Sequence, residues 1–325
     1  MSWIVLSLLS AFTLGFYGLA KKKAVHENAV PIVLLLNVAT SATLYTPIIL
    51  LSAAYPNTMA DTGIYVAPMS STHHLLMMLK SGLVGLSWIF AFFALKHLPL
   101  SVAAPLRAIS PLWTISIAVL FLNERPGVIQ WFGVALILLS FFAFSQVGKK
   151  EGIHFGRNRW VIMMIVATLL GSSSALVDKY LLQTVGLSVP NVQAWFSIYL
   201  VVAMLPLAIH WYCFQRKKVP FEFRWSIPTI AITLLVADYL YFSAISDPDA
   251  LISLISPLRR TSVILPFAYG ILKLSEKNWK PKLISLTVML AGVFLISWGN
   301  SELNKTESES TPKSEADLTD ESLTL

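Results

Sequence analysis

The sequence predicts an all-α polytopic membrane protein with ten transmembrane helices arranged as two inverted five-helix repeats. Three observations predict it. Across 325 residues the chain is 56% hydrophobic and only 13% charged, with a mean hydropathy of +0.69, whereas soluble domains carry about twice that charge. The apolar residues come in blocks of about 20, the length of helix that crosses about 30 Å of hydrocarbon; a transmembrane barrel would show short alternating segments instead. Finally, the stretch 101–124 returns without a gap, shifted by 152, at 253–276. The 24 aligned positions hold eight identities, among them Pro105/Pro257, Arg107/Arg259, Ser110/Ser262 and Glu124/Glu276. Duplicated hydrophobic segments mark transporter folds that hold substrate between repeats.

Taken in order, the apolar blocks lie near 2–20, 30–54, 74–95, 99–121 and 127–147, then near 159–181, 190–213, 226–245, 249–272 and 280–299. The first block lacks a basic leader region and a cleavage site, so it is expected to be a retained first helix. Short links at 96–98 and 246–248 make helices 3–4 and 8–9 antiparallel hairpins, and the loop 55–73 is long and nearly uncharged. The first repeat is assigned to 1–148, a basic linker to 149–158 and the second repeat to 159–300. Five helices per repeat is an odd number, so the second repeat enters the membrane from the opposite side. Residues 301–325, rich in Glu, Asp, Ser and Thr, read as a disordered acidic tail.

The net charge of +7 resides in short loops between apolar blocks, which points to the positive-inside effect rather than to nucleic acid. Basic residues gather in the odd-numbered connections, which taken alone makes these cytoplasmic and puts both termini outside. The single cysteine, Cys213, excludes an intrachain disulfide and is expected to pack as an apolar side chain. No phosphate loop, metal-ligand cluster or nucleophile elbow is present, so neither a metal, a cofactor nor an enzymatic activity is expected.

Charges inside the apolar blocks are the informative residues, since each costs about 2.5–3.5 kcal/mol at mid-helix on insertion scales unless it finds a partner or a wet cavity. Arg107 lies in helix 4, and Arg259 and Arg260 lie in helix 9, flanked by Pro105, Pro111 and Pro257. Guanidinium matches carboxylate or phosphate bidentately, so Arg107 and Arg259 either bind an anionic group across the repeat axis or clamp the structure; Arg259, which has the repeat partner, is the choice over Arg260. Asp238 in helix 8 either pairs with Arg259 or contacts substrate or a coupling proton. Tyr239 and Tyr241 near it, Trp88 at a comparable place in helix 3 and Tyr17 in helix 1 are candidate walls of a substrate site. The lysines at 21–23 and Lys179 read as snorkelling to the interface, and Glu124 and Glu276 as structural.

Two five-helix halves with Ala94-Leu95, Ser110-Pro111 and Asn123-Glu124-Arg125 in the first, and Ala244-Ile245, Ser256-Pro257 and Ser275-Glu276-Lys277 in the second, resemble the EamA-like branch of the drug/metabolite transporter superfamily. Asn and Ser stand where that pattern has Gly before Glu. The resemblance covers about 1–300 and implies alternating access through a cavity lined mainly by helices 1, 3, 4, 6, 8 and 9. It also implies both termini in the cytoplasm, against the charge count, so the side they face stays open. The expected function is secondary transport, as exporter or exchanger, of a small polar metabolite, favouring a carboxylated, zwitterionic or phosphorylated solute. The alternatives are neutral sugars or drug-like cations, or a channel or lipid-handling role. The expected setting is a bacterial inner membrane; the partners are a small-molecule substrate and the lipid bilayer.

Overall fold

The computed structural model describes residues 3–110, 112–113, 116–117, 127–150, 154, 156–247, 255, 258–259, 261–274 and 279–310. Among these residues the secondary structure is helical, with no strand. We label the principal helices α1 (Trp3–Val25), α2 (Val30–Ala54), α3 (Ser71–His97), α4 (Leu100–Ala108), α5 (Val128–Lys150), α6 (Arg159–Lys179), α7 (Val189–His210), α8 (Ser226–Ile245), α9 (Ile264–Leu274) and α10 (Trp279–Ser310). Six of them (α1, α2, α3, α6, α7 and α8) are long and apolar enough to cross a membrane. The shortest of the six, at 20 residues, spans about 30 Å at about 1.5 Å per residue.

The surface is that of a protein solvated by lipid. Phe12, Leu50, Leu79, Phe142 and Phe214 are exposed, while Ser7, Ser10, Asn37, Lys80, Ser87 and Asp178 are buried. Bulky apolar side chains facing outward in this number would be unstable in water. Hydroxyls follow the same logic. Thr40, Thr43, Thr46, Thr229 and Thr233 each donate to the carbonyl four residues back, which satisfies them inside a medium that offers no water.

Helix boundaries follow local chemistry. Ser70 caps α3 by accepting from the His73 N–H, Ser188 caps α7 by accepting from the Asn191 N–H, and Asn158 accepts from Trp160 and Val161 at the start of α6. Helix α1 runs through the three lysines to Val25 rather than stopping near residue 20, because lysine is a good helix former; Glu27, at φ 49°, then turns the chain. Helices α6 and α7 each widen into a π-turn, at Tyr180–Thr184 and Trp211–Gln215. Cys213 sits on the second of these turns and is exposed, not packed as expected. Helix α10 continues to Ser310, into the segment expected to be disordered. Glu124, Glu276, Arg260, Pro111, Pro257 and most of the short family motifs lie outside the described residues.

The packing pairs α1 with α8, α3 with α6, α2 with α7, α5 with α10 and α4 with α9; α7 also meets α3, and α8 meets α2. Two apolar cores result. One joins α1, α2, α3, α7 and α8 through residues such as Val33, Leu34, Met77, Met204 and Ile230. The other joins α4, α5, α6, α9 and α10 through Leu106, Ile137, Met164, Phe267 and Met289.

Close contacts fix two of these crossings. A Cβ on Gly292 of α10 would sit 2.7 Å from the Gly133 carbonyl of α5, and about two helical turns away the Ser140 hydroxyl donates to the Ser285 carbonyl. A Gly292→Val substitution should therefore push α5 and α10 apart and destabilise by about 1–3 kcal/mol, the usual cost of overpacking; a melting curve in detergent checks it. At the α1 end, Asn28 is fully buried. Its amide donates to the Ala24 and Glu222 carbonyls, and its carbonyl accepts from the Ala29 and Glu222 N–H groups. Asn28→Ala should cost about 1–3 kcal/mol, because it removes the part-buried hydrogen bonds that tie the Glu222 backbone to the end of α1. An unchanged melting temperature would rule this out.

Candidate functional site

The site lies where α1, α3, α4, α6, α8 and α9 bring charged residues into the apolar interior. Asp238 and Tyr241 are three residues apart on α8 and so share a face. Arg259 approaches both: its Nη2 donates to Asp238 Oδ1 at 3.1 Å, and its guanidinium lies 3.6 Å from the centre of the Tyr241 ring. The two charged side chains are only 11% and 16% exposed. A planar guanidinium held by a carboxylate on one side and an aromatic face on another is well fixed in orientation. Its Nε has no partner among the described residues.

Tyr17 of α1 is buried and lies in the electrostatic field of both Arg107 and Asp238. Helices α4 and α9, which carry the two repeat-related arginines or run on from them, pack against one another, and α1 packs on both α8 and α9. Close approach of α1 to the α9 segment depends on Gly15 and Gly18: an added Cβ would meet Leu265 at 3.0 Å and Pro266 at 2.9 Å respectively. Trp88 of α3 is partly buried, edge-on to Phe196 of α7 with ring centres 6.2 Å apart. Tyr239 is 43% exposed; Tyr241, not Tyr239, holds the arginine.

A second buried ion pair escaped the sequence reading. Lys80 of α3 meets Asp178 of α6 at 2.6 Å, with side chains 1% and 9% exposed. The Lys80 ammonium also lies 4.4 Å from the Phe196 ring centre and 4.6 Å from that of Phe242. Asp238 senses Lys80 and Asp178 as well as Arg259, so the two pairs form one charged centre. The signal was present: Lys80 lies well inside the third apolar block, in LMMLKSGLVG. Its partner, Asp178, is far along the chain, beside Lys179 near the end of the sixth apolar block.

The three lysines of α1 also separate. Lys22 donates to the Leu95 and Leu98 carbonyls at the end of α3, which suits a cation at a helix C-terminus, and Lys23 is exposed. Lys21 does not snorkel; it is 1% exposed, with its ammonium 3.8 Å from the Phe92 ring centre and 5.5 Å from that of Tyr17. His74 contacts the Tyr199 hydroxyl at 2.9 Å and stacks edge-on with Trp195. Among the described residues no cluster of three or more His, Cys, Asp or Glu could hold a metal ion.

An integral, multi-pass helical bundle with charges of both signs gathered between its helices has the makings of a membrane carrier. Residues 1–146 match the model of the EamA-like transporter family, a family of the drug/metabolite transporter superfamily whose members are transporters, not enzymes. A solved structure titled "Crystal structure of protein" is similar over 93% of this chain and 98% of its own, with a TM-score of 0.60 and 15% identity, which shows a shared fold. No curated protein matches.

Proposed function

We propose that the chain is a secondary transporter of a small polar metabolite, favouring a carboxylated, zwitterionic or phosphorylated solute, that works by alternating access between two inverted five-helix halves. The observation that carries this reading is the buried charged centre built by helices from both halves, with Arg259 held by Asp238 and Tyr241 and Arg107 and Tyr17 close by. Charge at this depth is expensive unless it serves a polar substrate path.

The packing supports the inverted arrangement. Exchanging each helix of one half for its counterpart in the other turns the α1–α8 contact into α6–α3 and the α3–α7 contact into α8–α2, and leaves α2–α7, α4–α9 and α5–α10 as they are. The shift of 152 that aligns the duplicated segment carries Gly133 onto Ser285 and Ser140 onto Gly292, so the two α5–α10 contacts exchange with each other. The Ser10 hydroxyl donates to the Ala237 carbonyl and the Ser87 hydroxyl to the Ala167 carbonyl, both at 2.7 Å, across corresponding interfaces. Residues rise along one helix as they fall along the other at α1–α8, α3–α6 and α5–α10, which is the antiparallel relation that inverted halves require.

The test is thermal stabilisation of the purified protein by organic acids, amino acids, sugar phosphates, sugars and organic cations, with Arg107→Gln and Arg259→Gln beside wild type. A ligand that binds only the native state raises its stability by mass action. The expected result is stabilisation by anionic or zwitterionic compounds that is lost in both variants. Stabilisation of all three proteins by neutral solutes or cations alone would contradict the substrate class.

A further inference from the structure

We propose that Asn37 and Gln193, two buried amides against the turn of α8 that carries Asp238, form a subsite that binds hydroxyl groups of the substrate. This rests on the transporter reading above and narrows its substrate class to a hydroxylated anion, whether hydroxy acid or sugar phosphate.

The observation that carries it is a set of buried polar atoms with nothing to bond. Asn37 of α2 and Gln193 of α7 are each 1% exposed. Neither the Asn37 Nδ2 nor its Oδ1 has a hydrogen-bond partner among the described residues, and the Gln193 Oε1 has none either. Buried amides are nearly always satisfied, and a membrane interior offers no bulk water to do it. Both amides lie against α8. The Gln193 Nε2 donates to the Leu235 carbonyl at 2.6 Å, and a helix carbonyl points toward the following turn, here that of Asp238. Helix α2 packs on α8 as well as on α7, and Tyr45, about two turns beyond Asn37, lies in the electrostatic field of Asp238.

The exchange of halves places Asn37 more closely. Pro31 and Pro47 of α2 fall on Pro190 and Pro206 of α7 with a shift of 159, and Phe92 and Ala94 of α3 fall on Phe242 and Ala244 of α8 with a shift of 150. The second shift also carries Ser87 onto Ala237, the acceptor of the Ser10 hydroxyl. Under these shifts Phe196 corresponds to Asn37 and Trp88 to Asp238. Phe196 and Trp88 touch, with ring centres 6.2 Å apart, so the corresponding contact brings Asn37 to Asp238. The three orphan atoms are one donor and two acceptors. Hydroxyls both donate and accept, and so suit all three. An ammonium only donates and would leave the Asn37 Nδ2 unpaired; a carboxylate only accepts and would leave both amide oxygens unpaired. The anionic end of the substrate then belongs at Arg259, beyond Asp238.

The test uses the full-length purified protein, wild type, Asn37→Leu and Gln193→Met, and reads the melting temperature against matched compounds that differ only in hydroxyls. The pairs are malate with succinate and glycerol 3-phosphate with propyl phosphate; glucose serves as a neutral polyol. Without ligand, Asn37→Leu is expected to melt at or above the wild-type temperature, because an apolar side chain of similar size replaces an amide that has no partner. In wild type the hydroxylated member of at least one pair should stabilise at a concentration about tenfold or more below its counterpart, since a site built to bond a hydroxyl rejects the analogue that lacks it. In Asn37→Leu and Gln193→Met that gap should close. An equal response to both members in wild type would overturn the proposal. So would a gap that survives in Asn37→Leu, or a ligand-free Asn37→Leu that melts several degrees below wild type. A gap that survives only in Gln193→Met removes Gln193 from the subsite and leaves Asn37. Stabilisation by glucose alone, lost in Asn37→Leu, would keep the hydroxyl subsite and defeat the anionic reading. Stabilisation of wild type by none of these compounds would defeat both.

Discussion

Lys80→Met should be among the most damaging single substitutions in this protein, lowering its stability by about 3–5 kcal/mol. The ammonium it removes is the partner of Asp178 at 2.6 Å, and that carboxylate is 9% exposed. Breaking a buried pair by deleting one member leaves an uncompensated charge, which accounts for penalties of that size. The Phe196 and Phe242 rings, which face the ammonium, offer the carboxylate no replacement. The double variant Lys80→Met/Asp178→Leu removes both charges and should recover most of the loss, since replacing a whole buried pair with apolar groups is often neutral. Melting curves of wild type, both single variants and the double variant form a cycle that isolates the coupling. A Lys80→Met protein as stable as wild type would mean that the α3–α6 contact does not depend on this pair.

Asp238→Asn should cost a comparable amount, about 3–5 kcal/mol, but with a different consequence for transport. It leaves the Arg259 guanidinium against Tyr241 without its carboxylate, at the point where α8 and the α9 segment meet. Asp238 also feels Lys80 and Asp178, and its loss leaves the two cations of these pairs against a single carboxylate. Transport should fail in Asp238→Asn at temperatures where the protein is still folded, whereas Lys80→Met/Asp178→Leu, once stable, should still transport. The measurement is substrate flux in proteoliposomes alongside the melting curve. Full flux with Asn at 238 would reduce the Asp238–Arg259 pair to a packing device.

Those two pairs show what the sequence could reveal. Arg107, Arg259 and Asp238 stood out because a charge inside an apolar block violates the pattern, and the Asp238–Arg259 pairing follows from two such violations on adjacent helices. Helix geometry separates the two tyrosines: Tyr241, three positions on, shares Asp238's face, whereas Tyr239, the next residue, points about 100° away. Lys21 was hidden by its neighbours: three consecutive lysines look interfacial, yet a helix that continues to Val25 carries the first of them a full turn inward, and 100° steps send the three in different directions. Lys80 and Asp178 were obscure for a different reason. Lys80 is a lone charge in its apolar block, Asp178 stands beside Lys179 near the end of another, and contact between α3 and α6 is a tertiary fact that neither local stretch encodes. Helix existence was legible from hydropathy; helix ends were not, because Lys, Glu and Ser continue a helix beyond the apolar block, as α1 and α10 do.

Counterflow in proteoliposomes tests the transporter reading most directly. Vesicles holding the purified protein are loaded with unlabelled phosphoenolpyruvate, succinate or glutamate and diluted into a trace of the same compound carrying label. For at least one of these anions the account predicts transient accumulation of label above equilibrium, saturating with concentration, abolished by Arg107→Gln and absent from protein-free vesicles. Flux that rises linearly without saturation, or counterflow with none of the anions while a neutral sugar or an organic cation gives it, would contradict the account.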